Sequence, residues 1–514
     1  MRIRRTAALL CLFALGACTV GPDFESPAPW WSPTSWLAAT PAPTPSISQP
    51  VAEPVDPHWW AMLNDPQLTA LEQRLVGANL DLRVAETRLA EARAQRGVAQ
   101  SAFYPQVNGN TSYERQQQSR NGVLALSSGT NGAANPTTAN GLGGRGGVPN
   151  SSLFSPFDLF QAGFDASWEL DLWGRVRRNV ESTQAQVDAS GDAVRDALVT
   201  ASAELARDYV QLRGIQRKLA ITRDNLSSAR QSLQLTQERA AGGVTTDLDV
   251  ANAAAQVEAT AAQLPALEQQ QAQLGNAISF LLGEQPQSMA VALAAPRPVP
   301  PVPPTVPVGL PSELARRRPD IRRAEALLHS TTADIGVAIG DFYPRLTLAG
   351  SGALQSVSID RLFEPNSGTY AIGPSITVPI FEGGRLVRTL DLRRAQQQEA
   401  ALAYQRTVLA ALHDVDNAIT AYGTEQRRLQ RLRAAVTQNQ RALALARDRY
   451  TQGVSDFLNV LTAQRNLFSA QSDEADSLAT VSTNLVQLYK ALGGGWEVDF
   501  PEPPAKPSPK PDKV

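Results

Sequence analysis

The chain is built from two copies of one unit. At an offset of 239 residues, Arg83, Ala85, Glu86, Gly97, Val98, Ala99 and Phe103-Tyr104-Pro105 match Arg322, Ala324, Glu325, Gly336, Val337, Ala338 and Phe342-Tyr343-Pro344. At an offset of 210, Gly174-Arg175, Leu233, Leu235, Arg239, Gly243-Val244, Leu248, Val250, Ala253 and Leu282-Gly283 match Gly384-Arg385, Leu443, Leu445, Arg449, Gly453-Val454, Leu458, Val460, Ala463 and Leu492-Gly493. The offsets differ by 29 residues, an insertion in the first copy between Tyr104 and Gly174. There the run 121–149 is rich in Gly, Asn and Ser, a surface-loop composition. A duplicated unit folds twice, so an element assigned in one copy needs its counterpart in the other.

Each copy reads as a helix, two strands and two long helices. In the first, spanning 65–295, strands are expected near 103–115 and 160–173 and a helical hairpin over 175–283. In the second, 312–496, strands are expected near 344–356 and 370–381 and a hairpin over 384–492. A proline-rich linker, 296–311, joins them as a stiff extended strap. The tail 497–514 reads as disordered. Leu205, Leu212, Leu219, Leu226 and Leu233 recur every seven residues, and Val415, Tyr422, Leu429, Val436 and Leu443 take the equivalent positions. That is a heptad seam. A helix over 175–241 would be roughly 100 Å long at about 1.5 Å per residue, more than a compact domain uses. Only 6% of the chain is aromatic, which also favours long helices over a globular core.

Between the helices the period changes to two. Phe164, Ala166, Trp168, Leu170 and Leu172 alternate with Asp165, Ser167, Glu169 and Asp171. Ile372, Pro374, Ile376, Val378 and Ile380 form a second apolar face; Val107 to Tyr113 and Leu346 to Gly350 alternate more weakly. Segments of about ten residues, apolar on one face and polar on the other, suit a membrane barrel, where lipid touches one face and water the other. Phe103, Tyr104, Phe342, Tyr343, Trp173 and Phe381 gather at the ends, as interfacial girdles do. Four strands cannot close a barrel, and an open edge in lipid strands unpaired backbone groups. The chain must oligomerise if it spans, and three copies would supply twelve strands and a matching ring of helices.

The N-terminus is an address. Arg2, Arg4 and Arg5 precede an apolar run from Ala7 to Leu15, too short to span a bilayer, and then come Leu15-Gly16-Ala17-Cys18. This is a signal peptide over 1–17 ending in a lipobox, so Cys18 is expected to carry a diacylglycerol and an N-acyl chain and to begin a lipidated extended segment, 18–64. Thr19 rather than Asp follows it, which by resemblance to other lipoproteins implies outer-membrane delivery. Each buried methylene contributes about 0.8 kcal/mol to anchoring.

The remaining composition excludes more than it suggests. The formal charge of −2 becomes −5 once the leader's three arginines are gone, and nothing points to nucleic acid. Cys11 lies in the leader, so the mature chain keeps at most one sulfur, against disulfide scaffolds and thiolate metal sites. His58, His329 and His413 lack the spacing of helical metal ligands. No phosphate-binding loop and no catalytic triad order is present, so the chain is read as a non-enzyme without cofactor or metal beyond its lipid.

Cys18-Thr19-Val20-Gly21-Pro22-Asp23-Phe24 with Pro27, the segment Leu310-Pro311-Ser312-Glu313-Leu314-Ala315-Arg316-Arg317-Arg318-Pro319-Asp320-Ile321, and the paired Phe-Tyr-Pro and Gly-Val motifs resemble the outer-membrane factor family, in its OprM/NodT-like lipoprotein branch within the TolC superfamily. The resemblance runs from Cys18 to about Trp496. It implies an α+β membrane protein: a TolC-like homotrimer with a twelve-stranded transmembrane β-barrel, four strands per protomer, continuous with a long periplasmic α-helical barrel. It implies residence in the outer membrane of a Gram-negative bacterium, and a periplasmic adaptor (a membrane fusion protein) and an inner-membrane transporter of the RND type as partners. The function implied is passive exit of drugs or other small toxic solutes.

The resemblance also assigns roles. Gly242, Gly243, Val244, Gly453 and Val454 would form the adaptor-docking tips, although glycine at a tight helix exit is a hairpin requirement in its own right. Acidic residues three apart often line the family's resting constriction, but the matching positions here are Asn459 and Thr462. Gate candidates are therefore Asp456, Asp247 and Asp249 as carboxylate rings, or Leu458 and Leu461 as an apolar plug. Helix capping is an equal claim on each Asp. Two other readings stay open: an exit duct for secreted polypeptides, and a pore-free coiled-coil lipoprotein that tethers envelope layers. Cys18→Ala should abolish incorporation of radiolabelled palmitate; continued labelling overturns the lipobox.

Overall fold

The computed structural model describes residues 19–27, 36, 48–117, 119 and 155–500. The signal peptide, Cys18, the glycine-rich run 121–149 and the tail from 501 lie outside the described residues. The chain divides into two compact units, one of Met1–Asp23, Gln95–Thr183 and Thr332–Ala395, the other of Phe24–Ala94, Gln184–Thr331 and Gln396–Val514.

The first unit holds a four-stranded antiparallel sheet of β2 (Gln106–Gln116), β3 (Phe157–Leu170), β5 (Arg345–Ser356) and β6 (Gly368–Thr377), in the order β2-β3-β5-β6. Both copies' strand pairs thus join in one sheet. Its register aligns the alternations read from the sequence: Val107, Ala166, Gly350 and Ile372 form one cross-strand row, and Gly109, Phe164, Gly352 and Tyr370 the next row on the same face. The opposite face carries the row Asn108, Asp165, Ser351 and Ala371. Phe164 lies over Gly352, where an added methyl would come 3.1 Å from the ring.

The ladders end short of the expected Trp173 and Phe381, and each end has a cause. Asp171 is not a strand residue: its carboxylate accepts from the N–H groups of Val176 (3.1 Å) and Arg177 (2.9 Å), the start of helix α3 (Arg175–Ala241). Leu172 falls in the same turn. Beyond Thr377, Pro379 has no N–H for a ladder, so Val378 and Ile380 continue the apolar pattern without pairing.

The second unit is helical. The first copy opens with two helices rather than one, α1 (Pro66–Ala78) and α2 (Leu80–Ser101), because Asn79 takes an extended backbone and caps the second through Leu82 N–H at 2.9 Å. The long helix α3 returns through α4 (Asp247–Ala261) and α5 (Gln263–Leu281), not through one continuous helix. The break at Ala262 follows from Pro265, whose ring displaces the carbonyl four residues earlier. In the second copy, α6 (Pro319–Gly340) precedes the strands, and α7 (Arg385–Thr451) returns through an unbroken α8 (Phe457–Leu492). At offset 210 from Pro265 stands Ala475, which allows it.

The heptad seams lie inside this unit. Leu205, Leu212, Leu219 and Leu226 are buried, as are Val415, Tyr422, Leu429 and Leu443, while Leu233 and Val436 are partly so. The N-terminal segment is more than an extended strand. β1 (Gln49–Val51) pairs in parallel with β4 (Thr305–Pro307) of the linker, Trp36 donates to Gly309 O at 3.2 Å, and a helical turn at Trp59–Leu63 stacks Trp59 on Tyr489. The residues after the second copy begin ordered: the Phe500 N–H donates to Trp496 O, and Trp496 is flanked by Arg195 and Arg322.

One acid is misplaced for stability. Glu72 on α1 is 3% exposed, accepts a hydrogen bond from Ser202 at 2.8 Å, and has no partner for Oε1. Burial pushes its carboxyl well above the usual carboxylate range, against the smaller opposing effect of the Ser202 hydroxyl. A raised folded-state pKa means that stability falls as pH climbs above the unfolded value, toward the folded one. Glu72→Gln should therefore raise the melting temperature, with a larger gain at pH 8 than at pH 5; an equal or negative shift at pH 8 refutes the burial cost.

Candidate channel elements

Two structures bear on function, the sheet and the helix turns. In the isolated chain, Val107, Tyr113, Phe164, Tyr370, Ile372 and Ile376 project from one face and are all exposed. A face this apolar does not suit water. The other face binds its charges: the side-chain amides of Asn108 and Asn110 donate to Asp165, and Glu169 holds Arg175 through a two-bond pair of 2.7 and 3.1 Å. At the end near α3, Trp173 stacks on Tyr343 at 4.9 Å and donates to Pro344 O, and Trp168 donates to Phe103 O. The indoles thus combine apolar bodies with satisfied N–H groups, as interfacial aromatics do. Among the described residues both outer strands, β2 and β6, have an unpaired edge.

The two hairpin turns share one geometry. Gly243 has φ +71° and Gly453 +75°. In each, the following valine N–H reaches back to an arginine carbonyl at 2.9 Å: Val244 to Arg239 and Val454 to Arg449. This is a Schellman exit, which needs a left-handed residue at its turn, and glycine takes that backbone without steric cost. Val244 and Leu248 are exposed, and so are their equivalents Val454 and Leu458. Gly242 donates to Glu238 O at 3.2 Å inside the same turn.

The gate candidates separate by their surroundings. Asp249 belongs to a capping box with Thr246, and its carboxylate accepts from Thr245 at 2.6 Å and Thr246 at 2.9 Å. These hydrogen bonds, Thr245's first, hold it below the usual carboxylate range. Asp247 begins α4 and is exposed. Asp456 occupies the cap position of α8, but its side chain makes no capping hydrogen bond. Asn459 donates to Ser455 Oγ and Thr462 to Leu458 O, both exposed. The leucine pair splits: Leu458 is 62% exposed, whereas Leu461 is 3% exposed among Tyr450, Phe457 and Val460. Leu461 is thereby corrected from a plug residue to a core residue, since α8 turns it away from solvent.

Sequence reasoning missed the contact that joins the ends of α3 and α7. Arg239 lies 4.6 Å over the Tyr450 ring and donates to Thr451 O at 3.1 Å, while Tyr450 meets Phe457 edge-on. Such an Arg–Tyr contact contributes about 0.5–2 kcal/mol. The only sequence trace was an arginine at matching positions of both copies, Arg239 and Arg449.

A sheet with one lipid-fit face, open edges and two paired helical hairpins is the fold of outer-membrane channels. The family model described as outer membrane efflux protein matches residues 71–284 and 310–494, and the chain belongs to that family, the outer-membrane factors of the TolC superfamily. It is 33% identical over 495 residues to the outer membrane protein OprJ of Pseudomonas aeruginosa, covering 96% of each chain. It is 32% identical to the toluene efflux pump outer membrane protein TtgC of Pseudomonas putida, again with 96% of each covered. The solved outer-membrane channel OprN superposes with a TM-score of 0.82 at 33% identity, over 93% of this chain and 100% of that one. The protein is an efflux duct of the outer membrane. Among the described residues no helix is long and apolar enough to cross a membrane.

Gly453→Val should reduce resistance to exported compounds in cells, since a β-branched residue at φ +75° costs about 1–2 kcal/mol and reshapes the exit. Gly453→Asn should stay near wild type, because Asn tolerates that backbone. Equal resistance in all three would count against a functional turn.

Proposed function

We propose that three copies of this chain, each anchored by acylated Cys18, assemble into one conduit through which small apolar or amphipathic toxicants leave the cell. The observation that carries this reading is the pair of unpaired edges, β2 and β6, on a sheet whose apolar face is exposed. Each edge is ten or eleven residues long. In lipid, every unpaired N–H and C=O on such an edge costs several kcal/mol, and closure by identical copies removes the cost at every junction. Twelve strands are what three such sheets supply.

The hairpin turns, with Val244, Leu248, Val454 and Leu458 exposed, offer apolar docking points to a periplasmic adaptor, which in turn engages an inner-membrane transporter of the RND type. Driving energy comes from that transporter, and the duct itself is passive. The solute class is supported by the relatives, named as toluene, solvent and antibiotic efflux pump proteins. Of the gate candidates, Asp456 and Leu458 are exposed at the start of α8 and suit the constriction best.

Purified protein should show stepwise conductance in planar bilayers and migrate as a trimer before heating. Arg239→Ala should raise the open fraction by loosening the ends of α3 and α7. A trimer without conductance would instead support a pore-free tether, and conductance without rescue of toxicant resistance in a duct-deleted host would favour polypeptide export.

A further inference from the structure

Residues Thr19–Asp23 sit in a slot built for a peptide, wholly within the first unit. The Val20 N–H donates to Trp173 O at 3.0 Å. Arg178, 4% exposed, donates to Val20 O at 3.3 Å, Gly21 O at 3.4 Å and the Asp23 carboxylate at 2.5 Å, and holds Glu181 at 2.8 Å with its remaining nitrogen. Gly174 and Gly336 form the walls, and Gly21 of the segment lies flat against them. A methyl on Gly174, at φ +80°, would stand 2.7 Å from the Thr19 side chain. A methyl on Gly21 would meet the Gly336 backbone at 2.5 Å, and one on Gly336 would strike Arg178 at 2.8 Å.

The segment buries little in return. Thr19 and Asp23 are exposed, and Val20 and Gly21 only half-buried. Its affinity therefore comes from main-chain hydrogen bonds to a buried guanidinium, charge-assisted at Asp23. A core does not need such a contact. It fixes the path of the backbone at the junction of β3 and α3, beside the Trp173–Tyr343 stack, an aromatic pair of the kind found at membrane interfaces.

Thr19 is the residue that follows the acylation site. We propose that Arg178, Gly174 and Gly336 form a dock for the acylated N-terminus, which sets where the lipid anchor leaves the protein and so seats the sheet at the membrane during assembly. This rests on the lipoprotein reading of Cys18. A docked anchor shortens the tether between acyl chains and sheet to about one residue, and a short tether raises the effective concentration of the sheet at the bilayer surface. Arg178 is a positioning residue, and the ligand it serves is the chain's own acylated terminus.

A cycle of four proteins tests it: wild type and Arg178→Ala, each made with its lipobox and with a non-lipoprotein leader that leaves Thr19 as the first residue. In outer-membrane vesicles, Arg178→Ala should raise proteinase K cleavage within residues 19–27 about tenfold, the scale set by losing a charge-assisted hydrogen bond. Palmitate incorporation should be unchanged, and heat-resistant trimer should appear more slowly. In the non-acylated pair the substitution should leave the trimer rate unaltered, because no anchor remains to be placed. Arg178→Lys should restore part of the effect, keeping the charge without the fork. The dock is overturned if residues 19–27 stay protected in Arg178→Ala, or if trimer formation slows equally in both pairs, which is what a purely structural arginine would do. Absence of palmitate in wild type would remove the lipoprotein reading, and with it the anchor-placing role, whatever the protease arm shows.

Discussion

Backbone hydrogen bonding in a medium without water governs this chain. Strands β2 and β6 leave two edges open among the described residues, and between them side chains sort onto a largely apolar and a largely polar face. In water such a sheet would aggregate, and in lipid a lone copy could not persist. In the trimer proposed above, both problems share one solution, pairing edge to edge with identical copies.

Duplication gives the sheet and hairpins their internal likeness, but the copies are not interchangeable. Pro265 breaks the return helix of the first copy, while Ala475 at the matching position leaves α8 continuous. Asn79 splits the opening helix of the first copy as well. A helix broken near its middle can bend where a continuous one resists. The two hairpins therefore start from one template and differ in stiffness.

The periodic features were legible in the sequence because they repeat one physical demand many times. Period two exposed the faces of β3 and β6, and period seven exposed the buried leucines of α3 and their counterparts in α7. Single events were not legible. Asp171 reads as one more polar strand residue until its carboxylate is seen closing the first turn of α3. Leu461 reads like Leu458 because the two point only about 60° apart around the helix, and only the neighbouring Tyr450 and Phe457 decide which is buried. The Arg239–Tyr450 contact and the Arg178 slot join residues far apart in sequence, and no local pattern announces such meetings.

The turns carry the consequence for a gate. Both use the same glycine geometry, yet their carboxylates are employed differently. Asp249 is committed to its own helix, accepting from Thr245 and Thr246, and these bonds hold it below the usual carboxylate range. Asp456 stands at the equivalent end of α8 with no capping bond, while the neighbouring Asn459 side chain turns to Ser455. If copies of the second hairpin converge on an axis, an uncommitted carboxylate recurs once per copy there, with the exposed Leu458 close behind it in sequence. Such a ring favours cations and repels anions, and the adjoining leucines disfavour water in the same constriction. Charge and apolarity then act in series along the path, so the acidic ring and the apolar plug cease to be competing descriptions of the same opening.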